Sequence, residues 1–499
     1  MSQIKIMNLT FAYDGSYDNV FENVSFVIDT DWKLGFTGRN GRGKTTFLNL
    51  LLDRFEYSGK IISNVDFEYF PFEVQNSYRN TIDIVEEILP NYEYWQLIKE
   101  LSLLKIDEDV LYRAYDSLSH GERTKIMLAV LFLKDNSFLL LDEPTNHLDS
   151  EARILVCEYL RKKKGFILVS HDRLFLDNCI DHILSINKTN IDIEKGNFSS
   201  WWNNKTLRDG FELAENEKLK RDIERLSEAS KRNSKWSSAV ESTKFGGKHD
   251  SGLSPDRGRI GHKAAKMMKR SKCIEKRQNI AIENKSKLLK NIETVNSLKL
   301  TSLESDSDLL ISLDNITIYY DDKRVCEDIS FSVKTGDRIA LKGINGSGKS
   351  SLLKLICRKN ISYKGTMHIK PNLIISYVSQ DTSTLAGNLY NFAREHNINE
   401  AQFFTILNKL DFSQLQLEKG IEDFSEGQKK KVLIAKSLCE KAHLYIWDEP
   451  LNFIDIFSRM QIEELILEYS PTMIFVEHDN DFLNKISTNI VEMSAISPK

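Results

Sequence analysis

The segment GRNGRGKTTFLNLL at 38–51 returns as GINGSGKSSLLKLI at 343–356. Each copy fits G-x-x-x-x-G-K-[ST], follows a short apolar run (KLGFT at 33–37, RIALK at 338–342) and precedes a helical pattern. Such a loop needs a strand before it and a helix behind it. Its glycines let successive backbone N–H groups turn inward on phosphate, and the helix N-terminus adds positive potential. A chain carrying the loop twice must build two α/β units, and 499 residues suffice for two cores.

Further pairs keep their distance from the two loop lysines, Lys44 and Lys349. LSHGERTK at 118–125 matches FSEGQKKK at 424–431, with Ser119 75 residues beyond the first lysine and Ser425 76 beyond the second. FLLLDEPTNHLD at 138–149 matches LYIWDEPLNFID at 444–455, with Asp142 and Asp448 98 and 99 residues on. ILVSHD at 167–172 and IFVEHD at 474–479 place His171 and His478 29 and 30 residues after those aspartates. Tyr13 and Tyr320 hold the same place upstream. The chain is a tandem duplication.

The residue types suit phosphoryl chemistry. Lys44 and Lys349 reach toward the β- and γ-phosphates, and Thr45 and Ser350 are candidates to hold Mg²⁺. Asp142 and Asp448, each ending an apolar strand, can hold the same ion through water. The adjacent Glu143 and Glu449 can orient or activate a water, and His171 and His478 can contact a γ-phosphate. A histidine after a buried strand is ordinarily a satisfied core residue, and matched repetition is what assigns these two a function.

The motif set resembles the nucleotide-binding cassette of the ATP-binding cassette superfamily, over about 1–200 and 305–495. The resemblance implies an ATPase with Mg²⁺, whose two cassettes sandwich two ATP molecules head to tail. One site would comprise Gly38, Asn40, Gly41, Gly43, Lys44, Thr45 and Thr46 with Ser425 and Gly427. The other would comprise Gly343, Asn345, Gly346, Gly348, Lys349, Ser350 and Ser351 with Ser119 and Gly121. Tyr13 and Tyr320 would stack on adenine, and Gln380 would contact the metal and water. The copies depart from the family pattern in places: Phe72 stands where the second copy has Gln380, His120 and Glu426 stand in the two signatures, and Gln428 stands where glutamate is common. The two sites are therefore expected to differ in hydrolysis rate while both bind ATP.

Between the cassettes the pattern changes. Leu219, Ile223 and Leu226 share one helical face, as do Leu288, Ile292 and Val295, which suits an antiparallel helical hairpin. GGKHDSGLSPDRGRIG at 246–261, with five glycines and a proline, is its turn-rich tip. Residues 231–290 hold 17 Lys and Arg against 5 Asp and Glu, a net +12 in a chain whose net charge is −4. Like charges crowded on a short hairpin repel unless a polyanion answers them, which points to nucleic acid. RNA suits the mixture with Trp236, Phe245 and His249. The expected contacts are Lys244, Phe245, Lys248, Leu253, Arg257, Arg259, Lys263, Lys266, Lys269 and Arg270.

The expected layout is 1–200 for the first cassette, 201–304 for the basic linker with its tip near 243–262, and 305–499 for the second cassette. The longest apolar runs, such as MLAVLFL at 127–133, fall far short of a membrane span. The N-terminus shows no signal pattern, and the six scattered cysteines suit reduced thiols, so a cytoplasmic location is expected. Tandem cassettes without membrane domains resemble the ABC-F group of ribosome-associated ATPases. Within it, GRNGRGKTT, the long basic linker with GHKAAKMMKRS at 261–271 and the compact cassettes resemble the Gram-positive antibiotic-resistance subgroup that protects ribosomes against lincosamides, pleuromutilins and streptogramin A. That resemblance implies a monomer acting on the 70S ribosome at the E site, with the linker near 23S rRNA and the P-site tRNA. Two alternatives remain: a general translation factor of the same group, and an ATPase subunit recruited to a drug exporter.

Overall fold

The computed structural model describes residues 2–13, 19–74, 76–146, 148–187, 190–242, 298–304, 306–320, 323–344 and 346–493, with helical positions 266, 269, 272, 273, 276, 277 and 280. The chain divides into two compact units, one formed by 1–201 with 295–499 and the other by 202–294.

The first unit holds two copies of one architecture. In the first copy, strands Asp66–Phe70, Ser137–Asp142, Phe166–Val169, Lys33–Thr37 and His182–Asn187 lie parallel in that order, with Asn190–Lys195 antiparallel at the edge. In the second copy the parallel order is Ile375–Val378, Leu444–Asp448, Met473–Val476, Arg338–Lys342 and Asn489–Glu492. Each copy adds a three-stranded antiparallel sheet: Phe21–Asp29, Gln3–Phe11 and Ser58–Ile62 in the first, Lys323–Lys334, Leu309–Tyr320 and Ser362–Ile369 in the second. Parallel strands buried on both faces read as continuous apolar runs, as in FLLL at 138–141 and MIFV at 473–476, all buried. Gly35 sits where an added Cβ would stand 2.4 Å from Ile180 Cδ1, so a larger residue there would force that side chain to repack.

This strand order positions the chemistry. Register pairs Phe36 with Val169 and Asp142 with Val169, so the loops that begin at Gly38, Glu143 and Ser170 leave one carboxyl edge of the sheet together. The second copy pairs Leu341 and Asp448 with Val476 in the same way. Ligands of open α/β sheets bind at this edge, where strand order reverses.

The helix Phe198–Ser242 runs for 45 residues out of the first cassette into the second unit. Its first turn packs Trp201 against Phe198, with ring centroids 5.5 Å apart. Lys266 and Lys269 are helical and exposed. Lys244, Phe245, Lys248, Leu253, Arg257, Arg259, Lys263 and Arg270, with Leu288, Ile292 and Val295, lie outside the described residues. On the return, Leu298 and Leu300 are buried in the second cassette's core beside Ala442 and Tyr445. No helix among the described residues is long and apolar enough to cross a membrane.

Candidate nucleotide sites

Both phosphate loops are built from the glycine pattern. Gly41, Gly43, Gly346 and Gly348 have φ of 80°, 94°, 83° and 88°, a left-handed conformation in which a side chain is strained. Gly43 and Gly348 start the helices Lys44–Leu51 and Lys349–Ile356. The lysine ammonium groups fold back on their own loops. Lys44 Nζ donates to the Gly38 carbonyl at 2.7 Å and Lys349 Nζ to that of Gly343 at 2.8 Å. Burial lowers the pKa of both lysines, against the opposing pull of nearby carboxylates.

A cavity of about 620 Å³ opens over the second phosphate loop. It is lined by Gly346, Gly348, Lys349, Ser350, Ser351, Gln380, Glu449 and His478 of the second cassette, and by Ser119, Gly121, Asp149 and Arg153 of the first. Tyr320, whose ring is exposed, is not among the lining residues, and Asn345 lies outside the described residues. The surroundings of Lys44 are tighter. Asn40 donates through Nδ2 to the Phe453 carbonyl at 3.1 Å, Arg39 pairs with Asp411 at 3.1 Å, and a Cβ on Gly427 would stand 3.2 Å from Asn40 Nδ2. Thus each phosphate loop faces the signature segment of the other cassette, one across a cavity and one in contact. Tyr13 donates to or accepts from Thr46 at 2.6 Å and meets Phe11 and Phe55 edge-on.

Each signature serine caps a helix. Ser119 and Glu122 form a capping box on helix His120–Leu131, and Ser425 and Gln428 form the same box on helix Glu426–Cys439. Gln428 therefore supplies through its amide oxygen what glutamate supplies in the first copy.

The acidic centres differ. Glu449 accepts from Gln380 Nε2 at 2.8 Å and from Asn452 Nδ2 at 2.6 Å, with His478 Nε2 3.4 Å away. Burial raises its pKa, but His478 and the cations Lys430 and Lys349 outweigh burial and leave it below the ordinary value. Glu143 has His171 Nε2 at 3.3 Å, but with Phe72 in the place of Gln380 it has no matching amide. Burial, with Asp142 adding to it, pushes Glu143 up to about 8. Both glutamates are left-handed, with φ of 52° and 48°, which aims their side chains out of the strand direction.

The metal-side donors also differ. Asp142 Oδ2 accepts from Thr45 at 3.1 Å and from the Tyr69 hydroxyl at 2.9 Å. Asp448 Oδ1 accepts from Ser350 at 3.0 Å, while its Oδ2 and the Tyr377 hydroxyl are buried without a hydrogen-bond partner. A buried, unpaired carboxylate oxygen beside a serine hydroxyl fits a hydrated Mg²⁺ shared with nucleotide phosphates.

Three features lay beyond the sequence reading. Tyr69 and Tyr377 are a matched pair three residues before Phe72 and Gln380, and the repetition itself was their signal. Thr145 and Ser170 share a hydrogen bond at 3.3 Å, whereas the second copy has Leu451 and Glu477, whose carboxylate accepts from the Leu451 N–H at 2.8 Å. Lys431 and Asp455 form a buried ion pair at 2.7 Å, and although burial opposes ionisation, Lys431 keeps the Asp455 carboxyl well below the usual range.

Two P-loop cassettes in one chain, each supplying lysine, aspartate, glutamate and histidine at a sheet edge that faces the other's signature, define a tandem-cassette ATPase. The family described as ABC transporter matches residues 21–146 and 326–452. Ribosome protection protein VmlR of Bacillus subtilis (strain 168) is 27% identical, over 98% of this chain and 87% of that protein. Energy-dependent translational throttle protein EttA of Haemophilus influenzae is 25% identical, over 95% of this chain and 89% of that protein. Among solved structures, the archaeal ribosome recycling factor aABCE1, in complex with the ribosomal stalk protein aP1, shares the fold. Its TM-score is 0.61 at 18% identity, over 97% of this chain and 87% of that one. The chain belongs to the ATP-binding cassette family, within its ABC-F group, and is an ATP hydrolase.

Proposed function

We propose that this chain is a ribosome-protection ATPase. In its ATP-bound state it occupies the ribosomal E site, and its linker, 201–304, dislodges antibiotics from the peptidyl-transferase centre. The observation that carries this reading is the near full-length similarity to a ribosome protection protein, cassettes and linker together. The net +12 of residues 231–290 supports RNA as the surface that the linker meets.

ATP binding draws each phosphate loop and the facing signature onto one nucleotide. Lys44 and Lys349 leave their loop carbonyls for the phosphates, Ser119 with Gly121 and Ser425 with Gly427 close the opposite sides, and Tyr13 and Tyr320 take the base. Mg²⁺, when bound, neutralises charge on the phosphates; Thr45 and Asp142 would hold it in one site, and Ser350, Asp448 and Gln380 in the other. Glu143 and Glu449 orient the attacking water and accept its proton, and His171 and His478 contact the γ-phosphate. Closure biases the chain toward its ribosome-bound state, and hydrolysis releases it. The protein works as a monomer in the cytoplasm, since one chain already supplies both halves of each site.

The test is co-sedimentation with 70S ribosomes in ATP, using Glu143→Gln/Glu449→Gln to slow hydrolysis. The expected results are ATP-dependent binding and, in a separate test, loss of tolerance to a lincosamide, pleuromutilin or streptogramin A when 245–259 is replaced with Gly/Ser. No binding, with nucleotide binding verified, sinks the ribosomal reading. The similarity to a translational throttle protein favours one second reading, a general translation factor. In that case deletion impairs growth without any drug and leaves drug tolerance unaltered.

A further inference from the structure

Two thiols of the first cassette meet outside the nucleotide sites. Cys157 lies on helix Ser150–Arg161, which begins directly after Asp149, and Cys179 ends helix Arg173–Cys179, which begins directly after His171 and Asp172. The Cys179 thiol donates to Cys157 Sγ, with the sulfurs 3.2 Å apart. At their other ends the same helices are joined by Arg153 and Asp172 at 3.5 Å. Cys157 is half-buried and lines a cavity of about 380 Å³ with Ile154, Arg161, Phe175 and Asn178, whereas Cys179 is only 2% exposed. One thiol is therefore open to a small reagent and the other stands behind it. The second cassette has Glu463 and Ile486 at the matching places, so the fold does not need the pair.

We propose that Cys157 and Cys179 are a modification site, a dithiol that a small disulfide such as oxidised glutathione converts to an intramolecular disulfide. The Cys157 thiolate attacks the glutathione disulfide, forming a mixed disulfide and releasing one glutathione thiolate. The Cys179 thiolate then attacks the Cys157 sulfur, closing the Cys157–Cys179 bond and releasing the second glutathione. The two protein thiols lose two electrons and two protons, and the oxidant is reduced to two thiols. The order of attack follows from the site. The hydrogen bond from Cys179, with Arg161 nearby, lowers the Cys157 thiol pKa despite burial, while the hydrogen bond to Cys157 and burial raise that of Cys179.

The disulfide would clamp the helix behind Asp149 to the helix behind His171. Asp149 borders the cavity over the second phosphate loop, and His171 Nε2 stands 3.3 Å from the Glu143 carboxylate. Fixing these two helices to each other restrains the segments that must adjust when nucleotide enters, so turnover slows.

The full chain is incubated with oxidised glutathione, alkylated, digested and weighed, with ATP turnover followed in parallel. The expected result is a Cys157–Cys179 peptide lacking two hydrogens, a several-fold fall in turnover, and recovery with dithiothreitol. Cys157→Ser, a change at the half-buried member that spares the core, should keep turnover and make it insensitive to oxidant. Three results would overturn the proposal: a persistent glutathione adduct on Cys157 with Cys179 free, both thiols free when the exposed Cys273 is already modified, or a disulfide that leaves turnover unchanged.

Discussion

Gln380 donates its side-chain amide to Glu449 at 2.8 Å, and the matching residue of the first cassette, Phe72, has no polar group to offer Glu143. Separately, the two candidate bases stand on opposite sides of their ordinary pKa, with Glu143 raised by burial and by Asp142, and Glu449 held down by His478, Lys430 and Lys349 against burial. Phe72→Gln, made in a Glu449→Gln background where only the first site retains its carboxylate, should raise residual ATP turnover several-fold at neutral pH. Steady-state phosphate release measures it, and no gain would mean that the amide does not set the activity of Glu143.

The unequal ionisation of the two glutamates predicts different pH profiles. With Glu449→Gln, turnover should climb as pH rises through about 8, because Glu143 accepts a proton only once ionised. With Glu143→Gln it should stay flat across neutrality, since Glu449 is ionised throughout. Stability has the reverse slope. A carboxyl whose folded pKa is raised binds protons more tightly when folded, so nucleotide-free stability falls between its ordinary value and about 8 and then levels off. Glu143→Gln should remove that slope in urea titrations at stepped pH.

The signature glycines should not be equally replaceable. A Cβ on Gly427 would come within 2.3 Å of the Phe453 carbonyl, a backbone atom that cannot swing aside, whereas one on Gly121 meets only Leu148 Cδ2 at 3.7 Å. Gly427→Ala should lower the melting temperature and turnover markedly, with a cost of about 1–3 kcal/mol for the overpacked contact. Gly121→Ala should leave nucleotide-free stability unchanged. Thermal melts of the two variants decide it.

Tyr69 and Tyr377 should separate in the same manner. Tyr69→Phe removes one of two donors to Asp142 Oδ2, at about 1 kcal/mol of stability. By loosening a metal-side carboxylate it should raise the Mg²⁺ needed for half-maximal turnover by about 10-fold. Tyr377→Phe deletes a buried hydroxyl that feels the Asp448 carboxylate without meeting it in hydrogen-bond geometry, and should have a smaller effect on the Mg²⁺ requirement than Tyr69→Phe. Magnesium titrations of turnover, in Phe72→Gln/Glu449→Gln for Tyr69→Phe and in Glu143→Gln for Tyr377→Phe, check the comparison.

The phosphate loops, signatures and acidic strands were legible because duplication turns weak local patterns into a matched series, and because buried parallel strands advertise themselves as unbroken apolar runs. What escaped depends on which loops become neighbours. Thr145 and Ser170 are 25 residues apart, and only the register pairing Asp142 with Val169 brings their loops side by side. Their replacement by Leu451 and Glu477 looks like two unrelated changes until that register is known. The unequal spacing around Lys44 and Lys349 was likewise out of reach, since the motifs facing them are nearly alike and the difference lies in tertiary packing. The apolar spacing of Leu219 and Ile223 reads as helix in the sequence, and the helix Phe198–Ser242 contains both.

Glu143 and Glu449 both occupy the left-handed region of backbone space, which suits glycine or asparagine better than a long acidic side chain. Each therefore holds the chain in a conformation that costs of order 1 kcal/mol, and the first also carries a carboxylate oxygen buried without a hydrogen-bond partner. Directed evolution for heat tolerance alone would thus be expected to discard both glutamates early, leaving a sturdier molecule that still captures nucleotide and no longer turns it over.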